Sequence, residues 1–233
     1  MSGKKVLLVC TSASKWGKDQ DKDSGAWYEE VACPYYVFKD AGLSVVIASP
    51  LGGPIPIDAG SKADAFMTDY TRKFDADADA LAVLNSSTKL SDVDAATFDA
   101  VYLAGGHATY TDFPDNKELI AIVETLYNAG KVVAADCHGP VGLVNCKKAD
   151  GTPLVSGLNV TGFLDTEEQA VGLDPVKCDV LPFSLQQKFT ELGGNFQAGA
   201  DWSSNAVSAG KLITGQNPQS SEQVAQAMLT ALA

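Results

Sequence analysis

Cys137 is the residue of this sequence best placed for nucleophilic chemistry. It lies in Ala134-Ala135-Asp136-Cys137-His138-Gly139-Pro140, where an apolar stretch typical of a buried strand runs into a turn and a helix start. Such a turn strains the backbone of its central residue and exposes the side chain at the edge of a sheet. A helix N-terminus beside the sulfur would lower the thiol pKa and favour the thiolate. A single cysteine is more often a buried core residue, but this context favours a nucleophile.

The other cysteines and the two histidines narrow the remaining options. Cys10, Cys33, Cys146 and Cys178 are irregularly spaced, and the sequence contains no CxxC pair. They are predicted to be reduced thiols of a cytoplasmic protein. Zinc sites draw on several histidine or cysteine ligands, so a chain with two histidines is not expected to hold a metal.

Length and charge limit the domain organisation and the partners. The chain has 233 residues, the size of one large α/β domain, so residues 1–233 are predicted to form a single domain. The net charge of −12 implies an acidic surface, which repels phosphate backbones and anionic lipids. Neither nucleic acid nor a membrane surface is therefore expected as a partner. The apolar run 6–9 is too short for a signal peptide or a membrane span and is interpreted as a buried strand.

Predicted strands and helices alternate along most of the sequence. Apolar runs predict strands over residues 5–10, 43–49, 98–104, 131–136, 158–163, 195–200, 206–208 and 212–214. Helical periodicity predicts helices over residues 27–41, 116–128, 166–171, 183–192 and 221–232, while residues 11–24 are interpreted as a loop and residues 58–89 as a long loop with a helical excursion. The alternation predicts a mostly parallel sheet with helices on both faces and a functional site at the carboxyl ends of its strands.

Several motifs, in order along almost the whole chain, resemble one known family. The segment around Cys137 resembles the nucleophile elbow of the ThiJ/PfpI superfamily, and Ala104-Gly105-Gly106-His107 resembles its glycine-rich turn. Three further segments are also similar: residues 25–30 with Pro34 and Phe38, residues 161–168, and residues 212–218. The set is most similar to the heat-shock chaperone-like branch that includes the glutathione-independent glyoxalases (glyoxalase III). The resemblance implies a flavodoxin-like α/β sandwich of the class I glutamine amidotransferase type, with a nucleophile elbow.

The resemblance also implies a role for individual residues. Cys137 would be the nucleophile, and Glu30 would lie against its sulfur, protonated and hydrogen-bonded to the thiolate, and would shuttle the proton. The motif favours Glu30 over its neighbour Glu29, although paired charges usually mark a solvated face. His138 would be the histidine of a catalytic triad, and Glu168 the acid that orients it. Two neighbouring acids compete for that last role: Asp165 and Glu167.

The backbone beside these side chains has an implied role as well. The N–H groups of Gly106 and His138 would form an oxyanion hole, and His107 would line the substrate pocket. The imidazole of His138 need not face the sulfur, because the two residues are adjacent in sequence and a structural role is the alternative. Ala108 departs from the family pattern, which often has glycine there, and this is expected to shift the oxyanion turn slightly.

These groups suffice for a glyoxalase reaction. A thiolate adds to the aldehyde carbon of a 2-oxoaldehyde such as methylglyoxal, a base moves the carbon-bound proton through an enediol(ate), and water releases a 2-hydroxy acid such as D-lactate. The reaction needs neither glutathione nor a cofactor, and a homodimer is expected. Three other functions stay open: a holding chaperone for unfolded or glycated protein, an amidase, peptidase or protein deglycase with the same thiol, and a redox sensor.

Overall fold

A seven-stranded sheet forms the centre of the computed structural model, which describes residues 3–177 and 180–233. Its strands are β1 (Lys5–Val9), β4 (Ser44–Ser49), β5 (Thr88–Lys89), β6 (Ala100–Leu103), β7 (Val132–Asp136), β10 (Ala206–Ala209) and β11 (Leu212–Gly215). Two small sheets pair β2 (Lys15–Trp16) with β3 (Lys22–Asp23), and β8 (Asn159–Val160) with β9 (Asn195–Phe196).

Helices cover both faces of the central sheet. The α-helices are α1 (Tyr28–Asp40), α2 (Asp69–Ala76), α3 (Ala78–Leu84), α4 (Thr109–Asp112), α5 (Lys117–Asn128), α6 (Asp165–Ala170), α7 (Leu185–Glu191) and α8 (Ser221–Leu232). Short 3-10 helices lie at Ala59–Lys62, Asp64–Phe66, Leu90–Asp92, Ala95–Thr97, Gly139–Leu143 and Pro218–Ser220. No helix in the part of the chain that the structure describes has both the length and the hydropathy needed to cross a bilayer.

The strand order brings the two predicted site turns side by side. The order is β10-β11-β7-β6-β1-β4-β5, and β10 alone of these strands runs antiparallel to its neighbour. Because β6 and β7 are adjacent and parallel, their carboxyl ends meet at the same edge of the sheet. The predicted fold class, a mostly parallel α/β sheet of the flavodoxin-like type, is confirmed.

Side chains along the central strands alternate between two apolar layers. Val132 and Ala134 of β7 and Tyr102 of β6 pack in the layer that contains α1 and α8, which we call the α1/α8 layer. Val133 and Ala135 face the opposite layer, which contains α5 and α7. By the same alternation Asp136 points into the α1/α8 layer, where it accepts a hydrogen bond from the hydroxyl of Ser221, the first residue of α8.

Four segments differ from the sequence prediction, and one of them is the predicted strand 195–200, which pairs only over β9. Residues 58–89, predicted as a long loop with a helical excursion, contain two α-helices, α2 and α3, and the strand β5, and the helix starts are capped by the side chains of Thr68 and Asp77. The predicted loop 11–24 contains the hairpin β2–β3. The predicted strand 158–163 pairs only through β8, because its chain then turns to the elbow, where the Phe163 N–H donates to the Cys137 carbonyl at 2.9 Å.

Candidate active site

Cys137 occupies a sharp turn between β7 and the 3-10 helix Gly139–Leu143. Its φ is 57°, in the left-handed region that residues with a side chain rarely adopt, at a cost of about 1–3 kcal/mol. The turn is held because the Cys137 N–H donates to the carbonyl of Gly215 on β11 at 3.0 Å. The strained turn points the side chain away from the sheet edge and into a cavity.

The pKa of the Cys137 thiol differs from the prediction. The helix that follows the elbow is a 3-10 helix of five residues rather than an α-helix, and Cys137 is only 3% exposed. Burial raises the pKa of the thiol well above its ordinary value, and Glu30 and Asp136 raise it further when their carboxyls are ionised. The expectation that a helix N-terminus lowers this pKa is therefore wrong, and the resting group is the thiol rather than the thiolate.

The three side chains expected to form a triad lie in a row, with His138 within hydrogen-bond distance of both Cys137 and Glu168. Cys137 Sγ is 3.3 Å from His138 Nδ1, and His138 Nε2 is 2.8 Å from Glu168 Oε1. The second oxygen of Glu168 is 2.9 Å from His107 Nε2. One carboxylate therefore bridges both histidines of the chain, while only His138 reaches the sulfur.

The protonation of this chain of groups follows from its environment. Burial raises the pKa of Glu168, but the two imidazoles outweigh burial and hold it at about 2. Burial, and then His107, lowers the pKa of His138 to about 4. His138 is thus neutral at pH 7, where its N–H hydrogen bond, rather than a charge, supports the ionised Glu168. Because a carboxylate only accepts, His138 carries its proton on Nε2 and presents the lone pair of Nδ1 to the thiol.

Glu30 reaches the same thiol from helix α1. Its side chain is fully buried, and Oε2 accepts a hydrogen bond from the Gly105 N–H at 2.6 Å. The carboxyl also interacts with the Cys137 thiol, while Oε1 completes no hydrogen bond with any residue in the ranges 3–177 and 180–233. Burial, and then the charge of Asp136, raises the pKa of Glu30 well above its ordinary value. The carboxyl is therefore protonated at neutral pH and holds its proton beside the sulfur.

The other acids that the sequence left open are held by different partners. Glu29 is only half-buried and accepts a hydrogen bond from the Thr68 hydroxyl. Asp165 accepts a hydrogen bond from the Ser184 hydroxyl at 2.6 Å. Glu167 is buried and accepts hydrogen bonds from four N–H groups, those of the Leu164 and Trp202 backbones and the Gln216 and Asn217 side chains.

Glycines allow the turn after β6 to pack against the elbow. A Cβ on Gly105 would lie 2.6 Å from the His138 backbone nitrogen, and one on Gly106, where φ is +105°, would lie 2.2 Å from the Gly25 carbonyl oxygen. Within the described residues, the N–H groups of Gly106 and His138 donate to no other group. Ala108 has φ −60°, which an alanine adopts without strain, so its departure from glycine costs the turn nothing.

A cavity of ≈ 110 Å³ opens beside the sulfur. Cys137, His138, His107 and Gly106 line one side, and the rest of the wall is mainly apolar: Trp27, Phe66, Phe163, Val171, Trp202, Pro218 and Gln219. The His107 ring stacks on Trp16 with centroids 4.5 Å apart, and the Phe163 ring lies 4.4 Å from the His138 ring. His107 thus contributes both to the cavity wall and to the hydrogen bond with Glu168.

Sequence reasoning missed the aromatic residues around this cavity. Trp16 and Trp202 come from polar segments in which no periodicity marks a buried side. Their indole rings were the available signal, because a large aromatic residue in a polar loop usually packs against something. Trp202 is 40% exposed at the cavity wall, and its φ of 59° shows how tightly the loop turns there.

His107, His138 and Glu168 also meet the distance condition for a metal site. Two imidazole nitrogens and a carboxylate oxygen lie within 4.8 Å of one another. The same atoms are already paired by hydrogen bonds of 2.8 and 2.9 Å. Their placement is therefore explained by mutual hydrogen bonding without an ion.

Comparison with known proteins identifies the family. Residues 24–231 match the model of the DJ-1/PfpI family, a span that includes Glu30, His107, Cys137, His138 and Glu168. This chain belongs to the DJ-1/PfpI family. The resemblance to the ThiJ/PfpI superfamily is thereby confirmed, and Cys137 lies at the elbow of a DJ-1/PfpI fold.

Relatives of this DJ-1/PfpI chain align with it from end to end. The glutathione-independent glyoxalase hsp3102 of Schizosaccharomyces pombe is 33% identical over 99% of this chain and 98% of its own length. The structure of glyoxalase III from Candida albicans has a TM-score of 0.88 at 30% identity and covers 98% of this chain and 97% of its own. Rapid Encystment Protein 24 kDa of Francisella tularensis has a TM-score of 0.91 at 38% identity, covering 99% of both chains.

Proposed function

We propose that this chain is a glutathione-independent glyoxalase that converts methylglyoxal, or a related 2-oxoaldehyde, to a 2-hydroxy acid such as D-lactate, without a cofactor. The proposal rests on the environment of the Cys137 sulfur, which lies 3.3 Å from the acceptor Nδ1 of His138 and against the buried, protonated Glu30. The names of two relatives support the same reaction. The small and mainly apolar cavity suits a small neutral substrate.

The first step is formation of a hemithioacetal. The Cys137 sulfur adds to the aldehyde carbon as its proton passes to Nδ1 of His138, and the electron pair of the carbonyl bond moves onto oxygen. Glu168 stabilises the imidazolium that forms, and the N–H groups of Gly106 and His138 stabilise the oxyanion. Glu30 then gives its proton to that oxygen and becomes a carboxylate.

The second step moves a proton between the two substrate carbons. The Glu30 carboxylate removes the proton from the sulfur-bearing carbon, which leaves an enediolate, and returns that proton to the neighbouring carbon. The hydroxyl proton on the first carbon passes to the oxygen of the second. The product is a thioester of a 2-hydroxy acid on Cys137, with Glu30 again ionised.

The third step is hydrolysis. Glu30 takes a proton from water as the water oxygen attacks the thioester carbon, and His138 returns its proton to the departing sulfur as the carbon–sulfur bond breaks. The 2-hydroxy acid leaves, and Cys137, His138 and Glu30 return to their starting protonation states. Every proton is accounted for by these three side chains and the water.

A product assay tests the proposal. Purified chain is incubated with methylglyoxal in the absence of glutathione, and the lactate formed is quantified by enantiomer. We expect turnover to D-lactate by the wild type and by Cys146→Ser, a matched variant of a buried cysteine away from the cavity, and no turnover by Cys137→Ser. If Cys137→Ser kept most of the activity, the nucleophile would be wrong.

Two further measurements on the same wild-type and variant proteins test the alternative functions. Suppression of aggregation of an unfolded protein that survives Cys137→Ser, without methylglyoxal turnover by the wild type, would favour a holding chaperone. Release of amide or peptide products by the wild type, lost in Cys137→Ser, would favour an amidase or peptidase. Either result without lactate formation would overturn the glyoxalase assignment.

A further inference from the structure

Asp136, which the reaction above does not use, is a second buried carboxyl beside the nucleophile. It is fully buried and immediately precedes Cys137. Its Oδ2 accepts hydrogen bonds from the hydroxyls of Ser221 at 2.7 Å and Tyr102 at 3.3 Å. A Cβ on the facing Gly215 would lie 2.2 Å from Oδ1, so the chain makes room for this carboxyl by using glycine on β11.

Asp136 and Glu30 occupy the same layer of the fold. The alternation along β7 points Asp136 into the α1/α8 layer, and Glu30 lies in α1 on that same side of the sheet. Neither carboxyl forms an ion pair with any lysine, arginine or histidine of the described residues. Two buried carboxyls that share one apolar layer without a cation do not both ionise, because each charge is costly to bury and the charges repel.

The donors around the two carboxyls decide which one carries the charge. Two hydroxyls donate to Oδ2 of Asp136, whereas Oε2 of Glu30 accepts one hydrogen bond, from the Gly105 N–H. Among the described residues, neither Asp136 Oδ1 nor Glu30 Oε1 has a donor, so the difference lies in the two hydroxyls. Hydrogen bonds to the charged form favour that form. The single negative charge therefore belongs on Asp136, and the proton on Glu30.

We propose, on the basis of the glyoxalase function above, that Asp136 is a positioning residue: its buried carboxylate keeps the proton on Glu30, and so keeps Glu30 in the acid form that protonates the hemithioacetal oxygen. The same charge also disfavours a thiolate at Cys137, so the nucleophile rests as a thiol until it transfers its proton to His138.

The ionisable groups around this pair are few. Five ionisable groups interact with Glu30 or Asp136: Glu29 and Cys33 on α1, Cys10 after β1, Tyr102 on β6 and Cys137 at the elbow. Glu222 on α8 raises the pKa of Glu29 and of Cys33 through its charge. The pKa of Asp136 is itself raised to about 7, by burial first, and the Ser221 hydroxyl opposes that rise. The charge on Asp136 therefore develops near neutral pH.

Alkylation of Cys137 tests the proposal independently of any enzyme activity. The rate of iodoacetamide labelling at Cys137 is measured by peptide mapping across pH for the wild type, Asp136→Asn and Asp112→Asn. Asp136→Asn removes one anion but also lets Glu30 ionise beside the sulfur, and these two effects on the thiol oppose each other. In the otherwise wild-type chain we therefore expect Asp136→Asn to move the midpoint of the labelling profile to lower pH by about half a unit or less. Asp112→Asn is the matched control, because Asp112 is a partly buried carboxyl that bonds to Thr11 and Ser12 instead; its midpoint is expected to stay in place.

A double-variant comparison tests whether Asp136 acts through Glu30. In a Glu30→Gln background no second carboxyl can take up the charge, so we expect Asp136→Asn to move the labelling midpoint to lower pH by about one unit, at least twice the shift in the otherwise wild-type chain. An equal shift in both backgrounds would overturn action through Glu30. In the Glu30→Gln background, an unchanged midpoint in Asp136→Asn, or an equal shift in Asp112→Asn, would overturn any electrostatic role.

Ser221→Ala provides the test if Asp136→Asn fails to fold. Loss of the 2.7 Å hydroxyl hydrogen bond leaves Asp136 ionised over a narrower pH range. In the Glu30→Gln background, Ser221→Ala is therefore expected to move the Cys137 labelling midpoint to lower pH, by a smaller amount than Asp136→Asn does. An unchanged midpoint in this variant would count against the proposal. If methylglyoxal turnover were absent while the midpoints moved as expected, the glyoxalase function would fail and the electrostatic role of Asp136 would stand.

Discussion

His138 Nε2 and Glu168 Oε1 lie 2.8 Å apart, and this hydrogen bond fixes what the other side of the imidazole can do. With the proton held on Nε2, Nδ1 faces the Cys137 sulfur as an acceptor. The geometry is that of a base with an orienting acid, assembled from one elbow and the first helical turn of α6. The pair shows why two residues adjacent in sequence, Cys137 and His138, can still work on each other.

Replacement of Glu168 is expected to impair turnover without unfolding the chain. In Glu168→Gln the amide offers an N–H where His138 needs an acceptor, so the imidazole loses its fixed tautomer, and we expect kcat/KM to fall by about 10²-fold or more. Steady-state kinetics with methylglyoxal measures the fall. Glu167→Gln is the matched comparison: it disturbs four N–H hydrogen bonds, so its main expected effect is a melting temperature lowered by several degrees. Equal kcat/KM for Glu168→Gln and the wild type would contradict this role.

Substitutions of the two glutamates of α1 are expected to have very different effects on kcat. Glu30→Gln keeps the shape of the side chain but cannot give or take the proton of the hemithioacetal, so kcat is expected to fall by about 10²–10⁴-fold. Glu29→Gln should change kcat little, since Glu29 bonds to Thr68 outside the cavity lining. Similar kinetics for the two variants would show that the wrong glutamate has been assigned to the proton transfer.

Cys137 is expected to be alkylated before Cys10, Cys33 and Cys146. The reason is access rather than a low pKa, because burial raises the pKa of all four thiols and Cys137 is the one of them that lines the cavity. Peptide mapping after a short exposure to limiting iodoacetamide measures the order. Unfolded chain in denaturant is the control and should lose the preference. First labelling at any of the other three would contradict the cavity at the sulfur.

The pH profile is expected to extend far into acid. His138 must be neutral to accept the thiol proton, and its pKa is lowered to about 4, so protonation removes the base only as the pH falls toward that value. We expect kcat/KM to decline on the acid side near pH 4, measured over the range in which circular dichroism shows the chain folded. An acid limb at the ordinary histidine pKa, about 6.5, would indicate a solvated imidazole.

Activity is expected to survive removal of metal ions. His107, His138 and Glu168 are held by their own hydrogen bonds, and two backbone N–H groups are available to the oxyanion, so the proposed steps draw on no Lewis acid. Methylglyoxal turnover is compared before and after exhaustive dialysis against a chelator, with a mock-dialysed sample as the control. A loss that added zinc restores would assign a metal to this cluster instead.

Most of the fold could be predicted from the sequence, because strands and helices leave local patterns in it. Apolar runs and helical periodicity marked β1, β4, β6, β7, α1, α5 and α8 to within a few residues. The sequences of the hairpin β2–β3 and of the helices α2 and α3 lack such runs. For the two helices, the capping residues Thr68 and Asp77 were the signals of where each helix starts. Serine is a common helix cap, yet at the start of α8 the Ser220 hydroxyl makes no capping hydrogen bond and the Ser221 hydroxyl donates to Asp136.

The site was accessible only in part. The motif resemblance proposed Cys137, His138, Glu30 and Glu168, and the structure brings these four side chains together. The thiol pKa was not accessible, because it depends on burial and on charges brought in by other elements of the fold. The single domain, the homodimer and the cytoplasmic location stay predictions, and Cys178 lies outside the described residues.

Glu167 and Glu168 stand next to each other, yet they serve different parts of the cavity. Glu168 forms a hydrogen bond with His138, whereas Glu167 accepts a hydrogen bond from the backbone N–H of Trp202, a residue of the cavity wall. A shift of α6 large enough to widen the cavity would move both carboxylates at once. Natural variation in substrate size within such a scaffold is therefore constrained: it is more readily obtained by changing side chains such as Trp202 or Val171 than by moving the backbone that carries them.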